Sequence, residues 1–263
     1  MNILFWNLQK HNLIKYIIRC LDENDIDIAV FAEHIKVDFR ELELTLNKRY
    51  HFIEGMGGCE KIALLVKNGI DATVRREQTR YALYTLSFNS QEYVLAGVHL
   101  QDRRSADENQ RIAVIARLKN DIKNLEESSK CKKTIIVGDL NANPFDRELL
   151  QMDAFHAVFY KDVIRKSESR RVDAVSYRRF YNPVLLSLSE EEKNYGSFYY
   201  SQGSVTPIWN CYDQILLSRA LIDNVVEIKY LKTIGQQSLI ANVAPKKEIS
   251  DHLPLLAILN QGD

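Results

Sequence analysis

The sequence predicts an α/β fold in which two β-sheets pack face to face with helices on the outside. Short apolar runs, typical of buried strands, alternate irregularly with helical segments and with a hairpin. A simple parallel sheet would instead show a regular alternation of strands and helices. No Pro-rich or Gly-rich linker interrupts the 263 residues, so we expect one domain over 1–263.

Helices are predicted where apolar residues recur at helical spacing. The stretch 11–22 carries Ile14, Ile17, Ile18 and Leu21, and the stretch 107–127 carries Ile112, Ile115, Leu118 and Ile122. A short helix is expected over 34–47. Strands are predicted from the remaining apolar runs, with Gln91 in the polar link of a hairpin: 3–7, 26–33, 61–67, 83–88, 93–100, 133–140, 212–218, 225–231 and 254–260.

Charge and cysteine content limit the function classes. The 35 basic residues equal the 35 acidic ones, which argues against a strongly electrostatic, non-specific nucleic-acid binder but is compatible with a local basic face. The four cysteines show neither close pairing nor metal-like spacing. Without a signal segment or a membrane-length apolar run, we expect reduced thiols, a cytoplasmic location and no membrane association.

Polar side chains that could take part in catalysis or ligand binding stand at the ends of predicted strands. Asp139 and Asn141 follow an apolar run and lie two positions apart, so on an extended segment they face the same way. An acid and an amide placed together could hold and activate a water beside a phosphate. A plain strand-ending turn is the alternative, because Gly, Asp, Asn and Pro are all turn formers.

Further strand ends add to this pattern. Asn7, Glu33 and His99 each close an apolar strand, and Asp213 stands at the head of another. The adjacent Asp251 and His252 precede the last strand and offer a metal ligand and an acid–base group. Strand ends are where a rigid scaffold presents chemistry to a cleft.

With these segments the chain resembles the endonuclease/exonuclease/phosphatase superfamily, which includes the pancreatic-type deoxyribonucleases and the abasic-site endonucleases. The matching segments occur in the family's order: Trp6-Asn7, Glu33, His99, Gly138-Asp139-Leu140-Asn141, Asp213 and Ser250-Asp251-His252. The resemblance implies a four-layered, deoxyribonuclease-I-like sandwich of two mixed β-sheets flanked by helices. It also implies a Mg²⁺-dependent hydrolase of phosphoester bonds, with Mn²⁺ as an alternative cation.

The resemblance further implies roles for these residues. Glu33 would be the main metal ligand, Asp251 a second metal-side carboxylate, and Asn7 would lie close to the metal or the phosphate. Asp139 would align or deprotonate the attacking water, with Asn141 fixing that water or a phosphate oxygen. His99 would bind the phosphate or help to protonate the leaving oxygen. His252 would act as an acid–base or phosphate-polarising residue, with Asp213 holding its ring. Gln9 departs from the abasic-endonuclease branch, which carries an Asp there, and this puts a two-metal mechanism in doubt.

The region 161–206 lacks clean periodicity and is predicted to vary with the substrate. Its first half combines basic and aromatic residues, which suit phosphate contacts and base stacking. Arg170, Arg171, Arg178 and Arg179 are candidates for this contact, and a solvated surface is the alternative. Arg103 is a candidate phosphate clamp, whereas Arg111 is expected on a helix surface.

Two functions fit these observations. The favoured one is a nuclease that hydrolyses phosphodiester bonds in DNA or RNA by metal-assisted attack of water, so we expect a nucleic-acid partner. The alternative is a phosphatase or phosphodiesterase acting on a small-molecule or lipid phosphoester. A catalytically silent scaffold fits less well, because every catalytic residue type is present. Protein partners and endo or exo mode cannot be inferred from the sequence.

Overall fold

The computed structural model describes residues 1–191, 193–202 and 208–260. The parts of the predicted variable region at 192 and 203–206, and the end of the predicted domain at 261–263, lie outside the described residues. Among the described residues, no helix combines the length and apolar composition needed to cross a membrane.

The elements run in chain order as follows: β1 (Asn2–Asn7), α1 (Ile14–Glu23), β2 (Ile28–Ala32), α2 (Phe39–Thr45), β3 (Tyr50–Ile53), β4 (Ile62–Lys67), β5 (Asp71–Gln78), β6 (Tyr81–Phe88), β7 (Gln91–His99), α3 (Glu108–Ser129), β8 (Thr134–Asp139), α4 (Arg147–Leu150), β9 (Ala157–Val158), α5 (Lys161–Lys166), β10 (Ser169–Val172), β11 (Val175–Arg178), β12 (Phe180–Tyr181), β13 (Phe198–Tyr199), β14 (Trp209–Asn210), β15 (Asp213–Leu217), β16 (Val225–Tyr230), β17 (Thr233–Ile234), β18 (Gln237–Ser238), β19 (Ile240–Ala241), β20 (Ala244–Pro245) and β21 (Leu255–Leu259). Short 3-10 helices lie at Pro183–Ser187 and Arg219–Leu221.

Two mixed sheets form the centre of the fold. The first has the strand order β16-β21-β1-β2-β4-β3, and the second has the order β5-β6-β7-β8-β15-β12-β9. The pairs β1/β2 and β7/β8 are parallel, whereas β21 runs antiparallel to β1 and β15 antiparallel to β8. The predicted sandwich of two mixed sheets is therefore confirmed.

The strand alternation explains why helices cover the outer faces. Along β8, Ile135 and Val137 join the core between the sheets, whereas Ile136 joins a second core beneath α3. That second core receives Ile115 and Leu118 from α3. Because successive side chains of a strand point to opposite faces, the central strands of the second sheet contribute to both cores, whereas β1 and β2 contribute to the first one only.

Several boundaries differ from the sequence prediction for local reasons. The predicted helix over 34–47 is shorter and begins after Asp38, whose carboxylate accepts from the backbone of Arg40 and Glu41 at 2.9 and 3.1 Å. Placing Gln91 in the hairpin link was wrong, because Gln91 already pairs with Phe88. The turn itself is 89–90, where both residues have a left-handed backbone with φ of 50° and 61°. The short strand β3 and the edge strand β5 were not predicted.

Candidate active site

The ends of the central strands converge on one edge of the sandwich. Because β1 and β2 are parallel, Asn7 at the end of β1 and Glu33 just after β2 lie at the same edge. In the second sheet His99 and Asp139 end β7 and β8 and are register partners. The predicted strand-end residues of both sheets are therefore brought together.

The two antiparallel strands contribute their beginnings to the same edge. Asp213 is the first residue of β15 and pairs in register with Asp139. His252 stands just before β21, which runs antiparallel to β1. The opposed strand directions thus place an acid and a histidine beside the carboxylate that ends β8.

Asp213 and His252 form a buried hydrogen-bonded pair. The Asp213 Oδ2 lies 2.7 Å from His252 Nδ1, with Asp213 fully buried and His252 at 7% exposure. Burial opposes the charged imidazolium, but the carboxylates of Asp213, Asp139 and Asp251 outweigh it and raise the pKa of His252. With Nδ1 engaged by Asp213, the Nε2 atom is the one left for proton transfer.

Asp139 occupies the centre of the site. Its Oδ2 accepts from Asn7 Nδ2 at 3.0 Å and lies 3.8 Å from His99 Nε2 and 3.9 Å from His252 Nε2. Its Oδ1 accepts from the backbone nitrogen of Asn141 at 2.9 Å, which closes a tight turn. A carboxylate fixed between two imidazoles is suited to align a water or to exchange a proton with it.

The turn that follows Asp139 is held by its own side chains. Asn141 has a left-handed backbone with φ of 48°, and its Nδ2 donates to Leu100 O at 2.9 Å. A Cβ on Gly138 would come within 1.9 Å of Val98 O, so only glycine allows this close approach of β7 and β8. One N–H of the Asn141 side-chain amide is therefore engaged in a hydrogen bond within the loop and is not available to a ligand.

The segment that carries His252 is anchored to β1. Trp6 Nε1 donates to His252 O at 3.0 Å, and Ser250 Oγ donates to Asn7 O at 2.7 Å. The same hydroxyl accepts from His252 N at 3.1 Å. The sequence motif Ser-Asp-His therefore has a physical reason for its serine, a role that sequence reasoning did not assign.

Glu33 and Asp251 form a carboxylate pair suited to a hard cation. Burial and the charge of Glu33 raise the pKa of Asp251, although His252 opposes this. A divalent cation between such groups would relieve the repulsion, and carboxylate oxygens are the ligands that Mg²⁺ prefers. Glu33 has a left-handed backbone with φ of 50°, a conformation that is uncommon for residues other than glycine and that clusters at functional sites. The donor set thus fits a divalent metal.

A second group of possible ligands lies deeper in the site. Asp139, Asp213 and His252 each offer a ligand atom within 4.8 Å of one another. Asp213 and the Nδ1 of His252 are already joined by their 2.7 Å hydrogen bond, so a metal there would have to break it. We therefore favour the more exposed carboxylates Glu33 and Asp251 as the metal side.

Gln9 stabilises the loop beside these carboxylates. Its Oε1 accepts from Asp251 N at 3.1 Å, and its backbone nitrogen donates to Asn7 Oδ1 at 3.0 Å. The next residue, Lys10, donates its backbone N–H to Glu33 O at 2.8 Å. Gln9 therefore orders the loop beside Glu33 and Asp251 without adding a charge to it.

An aromatic side chain borders His252. The ring centroid of Phe198 lies 4.9 Å from that of His252 and 5.3 Å from that of Tyr212. Phe198 begins β13 and also forms an isolated backbone bridge with His252. The segment around Tyr195–Tyr200 thus packs near the site.

The basic segment proposed to bind substrate lies at the opposite end of the sheet. Arg178 pairs with Glu126, and Glu126 in turn accepts from Thr134, the first residue of β8. Asp139 is the last residue of β8, so the strand separates Arg178 from it by roughly 16 Å at about 3.3 Å per residue. The Arg178 guanidinium is thus paired with Glu126 and Glu168 at the end of β8 away from Asp139, and its predicted contact with substrate stays a prediction.

The other arginines of that segment follow the same geometry. Arg179 donates to Ser167 O and Ser169 O at 2.8 and 2.9 Å, so its guanidinium closes a loop, and its predicted contact with substrate stays a prediction. Arg170 and Arg171 are exposed on β10, whose partner strand β11 ends at Arg178. The structure does not bring either of them to the strand ends that carry the site.

Two further arginines, Arg103 and Arg111, contact the loop that follows Asp139, the first at the surface and the second from a buried position. Arg103 is half exposed and pairs with Asp146 at 2.5 Å. Because Asp146 also accepts from Asn143 N, Arg103 stays attached to the loop that follows Asp139. Arg111, expected on a helix surface, is instead fully buried beneath this loop. Its spacing of four and seven residues from Ile115 and Leu118 placed it on the apolar face of α3, a signal that sequence reasoning missed.

Comparison with known proteins agrees with this architecture. The truncated TDP2 of Caenorhabditis elegans superposes with a TM-score of 0.62 and 16% identity over 98% of this chain and 96% of that one. A mannosyl-6-phosphatase of Bacteroides thetaiotaomicron gives 0.63 and 12% over 99% and 100%. The endonuclease domain of TRAS1, a telomere-specific non-LTR retrotransposon, gives 0.58 and 11% over 100% and 99%.

At the sequence level, comparison with curated proteins gives no significant match. The profile of the endonuclease/exonuclease/phosphatase family matches residues 2–252. The chain therefore belongs to the endonuclease/exonuclease/phosphatase family, and the deoxyribonuclease-I-like fold expected from the sequence is confirmed.

Proposed function

We propose that this chain is a divalent-metal-dependent phosphodiesterase that cleaves nucleic acid by attack of an activated water. The observation that carries the proposal is the buried Asp213–His252 pair facing Asp139, with His99 on the other side of the same carboxylate. Phosphodiester hydrolysis needs a positioned nucleophile, proton transfer and charge neutralisation at one place. The strand-end site supplies residues for all three.

Asp213, His252 and Asp139 have different roles in proton transfer. Asp213 accepts the hydrogen bond of His252 Nδ1 and so fixes the tautomer of the ring. Asp139 takes the proton of the attacking water, and His252 Nε2, whose pKa is raised by the surrounding carboxylates, donates a proton to the leaving oxygen. His99 Nε2, 3.8 Å from both Asp139 and Glu33, is placed to contact a phosphate oxygen between them.

Glu33 and Asp251 would hold the cation, with the amide of Asn7 beside them. Mg²⁺ is the expected ion and Mn²⁺ the alternative, because both accept oxygen ligands. When bound, the ion neutralises charge on the phosphate and lowers the pKa of a bound water. Asn7 contributes by holding Asp139 through its 3.0 Å hydrogen bond.

Nucleic acid is the substrate class that the structural relatives favour. Two of the three relatives described above are TDP2 and an endonuclease domain. Phe198 and Tyr212, stacked next to His252, offer partly exposed aromatic surface of the kind on which bases stack. Arg103 supplies a half-exposed guanidinium on the same loop system for a phosphate contact.

A small phosphoester is the second candidate, for a specific reason. The basic hairpin at 169–178 lies away from the site, and the chain has no net charge, so among the described residues this hairpin does not extend a basic track to the site. One relative of the same fold is a sugar phosphatase. A compact site with one arginine would suit a substrate that needs no extended electrostatic contact.

A substrate panel in Mg²⁺ or Mn²⁺ separates these candidates. It contains single-stranded DNA, duplex DNA, RNA, a sugar phosphate, inositol phosphates and sphingomyelin, each tested with the wild type and with Asp139→Asn. We expect cleavage of a polynucleotide that is lost in Asp139→Asn and in EDTA. Turnover of a small phosphoester alone would replace the nuclease assignment by the phosphatase one.

A further inference from the structure

Arg111 is an arginine buried without any contact with water. It lies in the first turn of α3 with 0% exposure, among the largest fully buried side chains of the described residues. Burying a guanidinium is costly unless its charge and its N–H groups are matched. A residue of this kind therefore needs an explanation that a helix surface or an apolar core does not supply.

The partners of Arg111 are the loop that follows Asp139. Its Nη2 donates to Leu140 O at 3.3 Å and to Asn141 O at 2.6 Å. These carbonyls flank the turn in which Asn141 N donates to Asp139 Oδ1. The planar fork of arginine donates in fixed directions, which a flexible ammonium does not reproduce.

Glu148 neutralises the positive charge of Arg111 from the far side of the loop. Its Oε1 lies 3.1 Å from Arg111 Nη1, and its side chain is only 1% exposed. Glu148 belongs to α4, which begins eight residues after Asp139, so the pair joins α3 to the segment that closes the loop. Burial lowers the pKa of Arg111, and the charge of Glu148 opposes that decrease.

Among the described residues, this loop is one of two contacts that hold Asp139 between the two imidazoles. The Asp139 carboxylate is 3.8 Å from His99 Nε2 and 3.9 Å from His252 Nε2. Asn7 Nδ2 donates to Oδ2, and the loop donates to Oδ1 through the backbone nitrogen of Asn141. We infer that Arg111 is a positioning residue for hydrolysis, which fixes the Asp139 carboxylate by holding the Leu140 and Asn141 carbonyls. The inference rests on the proposed function, because it assigns Arg111 to the reaction at Asp139.

The main test is Arg111→Lys, which keeps the charge opposite Glu148 but removes the planar fork. Misplacement of a catalytic group by about 1 Å lowers rates by roughly 100-fold. We therefore expect kcat on the best substrate to fall by about that factor, while KM stays within error of the wild type. The double variant Arg111→Lys/Asp139→Asn should be no slower than Asp139→Asn alone, because both changes act on one group.

Arg117→Lys is the matched control. Arg117 is exposed on the same helix, so the same substitution there should leave kcat and KM unchanged. A second variant, Arg111→Met/Glu148→Leu, removes both buried charges and thus avoids an unpaired one. It should fold and still show the lowered kcat, which separates positioning from a loss of stability.

Hydrogen–deuterium exchange gives a readout that needs no substrate. Amides of residues 140–146 should exchange faster in Arg111→Lys than in the wild type or in Arg117→Lys. Wild-type kcat in Arg111→Lys together with unchanged exchange would overturn the inference. If the wild type cleaves no phosphoester, the proposed function fails by itself, and unaltered exchange in Arg111→Lys would additionally reject the role of Arg111 in holding the loop.

Discussion

Replacement of Asp213 by Asn tests whether Asp213 and His252 act as one acid–base unit. The side chain keeps its shape but loses the charge that faces His252 across 2.7 Å in a fully buried position. A hydrogen bond to a charged group contributes about 1.5–3 kcal/mol. At about 1.4 kcal/mol per tenfold, its loss corresponds to roughly 10- to 150-fold in rate.

We therefore expect kcat of Asp213→Asn to fall by at least about tenfold, and by more if the ring also adopts the wrong tautomer. The assay is hydrolysis of a small chromogenic phosphodiester, which reaches the site without an extended substrate contact. Asp121→Asn is the matched control, because Asp121 is a buried carboxylate that accepts from Tyr81 and Arg76 away from the site. It should lose stability but keep kcat.

A double-mutant cycle then decides between cooperation and independence. If Asp213 acts only through the imidazole, Asp213→Asn/His252→Ala should be as slow as His252→Ala. If the losses in kcat of the two single variants multiply in the double variant, Asp213 contributes separately from His252, and the two do not act as one acid–base unit. Equal kcat in Asp213→Asn and the wild type would refute any role for the pair in turnover.

Four further predictions concern other positions. Glu33→Gln should abolish hydrolysis and weaken Mn²⁺ binding in calorimetry with little change in Tm; unchanged Mn²⁺ affinity would exclude Glu33 as a ligand. Arg178→Ala should reduce the free energy of unfolding in urea by about 2–3 kcal/mol, because it leaves Glu126 unpaired, while polynucleotide affinity and its salt slope stay the same. Burial lowers the pKa of Lys119 to about 8. The unfolded chain then binds more protons at about pH 8–10, so stability should rise with pH there and Lys119→Met should flatten that rise. Gly138→Ala, whose Cβ would meet Val98 O, should destabilise the fold by about 1–3 kcal/mol in the same urea assay, whereas no effect would mean that the strands separate easily.

The central strands were predictable from the sequence because their burial determines their composition. β2 and β15 are buried at every position, and their continuous apolar runs stand out from the flanking polar residues. β5 lies at a sheet edge and alternates exposed and half-buried residues. Its sequence is rich in charged residues and has no apolar run, so it was not predicted as a strand. The two-residue strands carry no periodic signal at all.

The site followed from a rule about strand ends together with the family resemblance. Asn7, His99 and Asp139 each follow an apolar run at a strand end, where a scaffold presents chemistry to a cleft, which is why they could be grouped before their distances were known. Composition alone does not say which end of a sheet a segment visits. For that reason Arg178 was predicted at the site, although it pairs with Glu126 at the other end of the sheet.

Arg111 shows a complementary limit of sequence reasoning. A charged residue on the apolar stripe of α3 was assigned to the surface, because charges are rarely buried unpaired. Its partners, the carbonyls of Leu140 and Asn141 and the carboxylate of Glu148, lie about 30 to 37 residues further along the chain and are known only from the fold. Burial of this kind depends on tertiary pairing, which local patterns do not encode.

Cleavage of a labelled single-stranded oligonucleotide in Mg²⁺ tests the central claim most directly. The measurement compares the wild type, the wild type in excess EDTA, and Asp139→Asn, whose carboxylate is the group shared by His99 and His252. The account predicts product from the wild type with Mg²⁺ and none in the other two samples. Full cleavage in EDTA, or equal cleavage by Asp139→Asn, would contradict a metal-assisted reaction at this site.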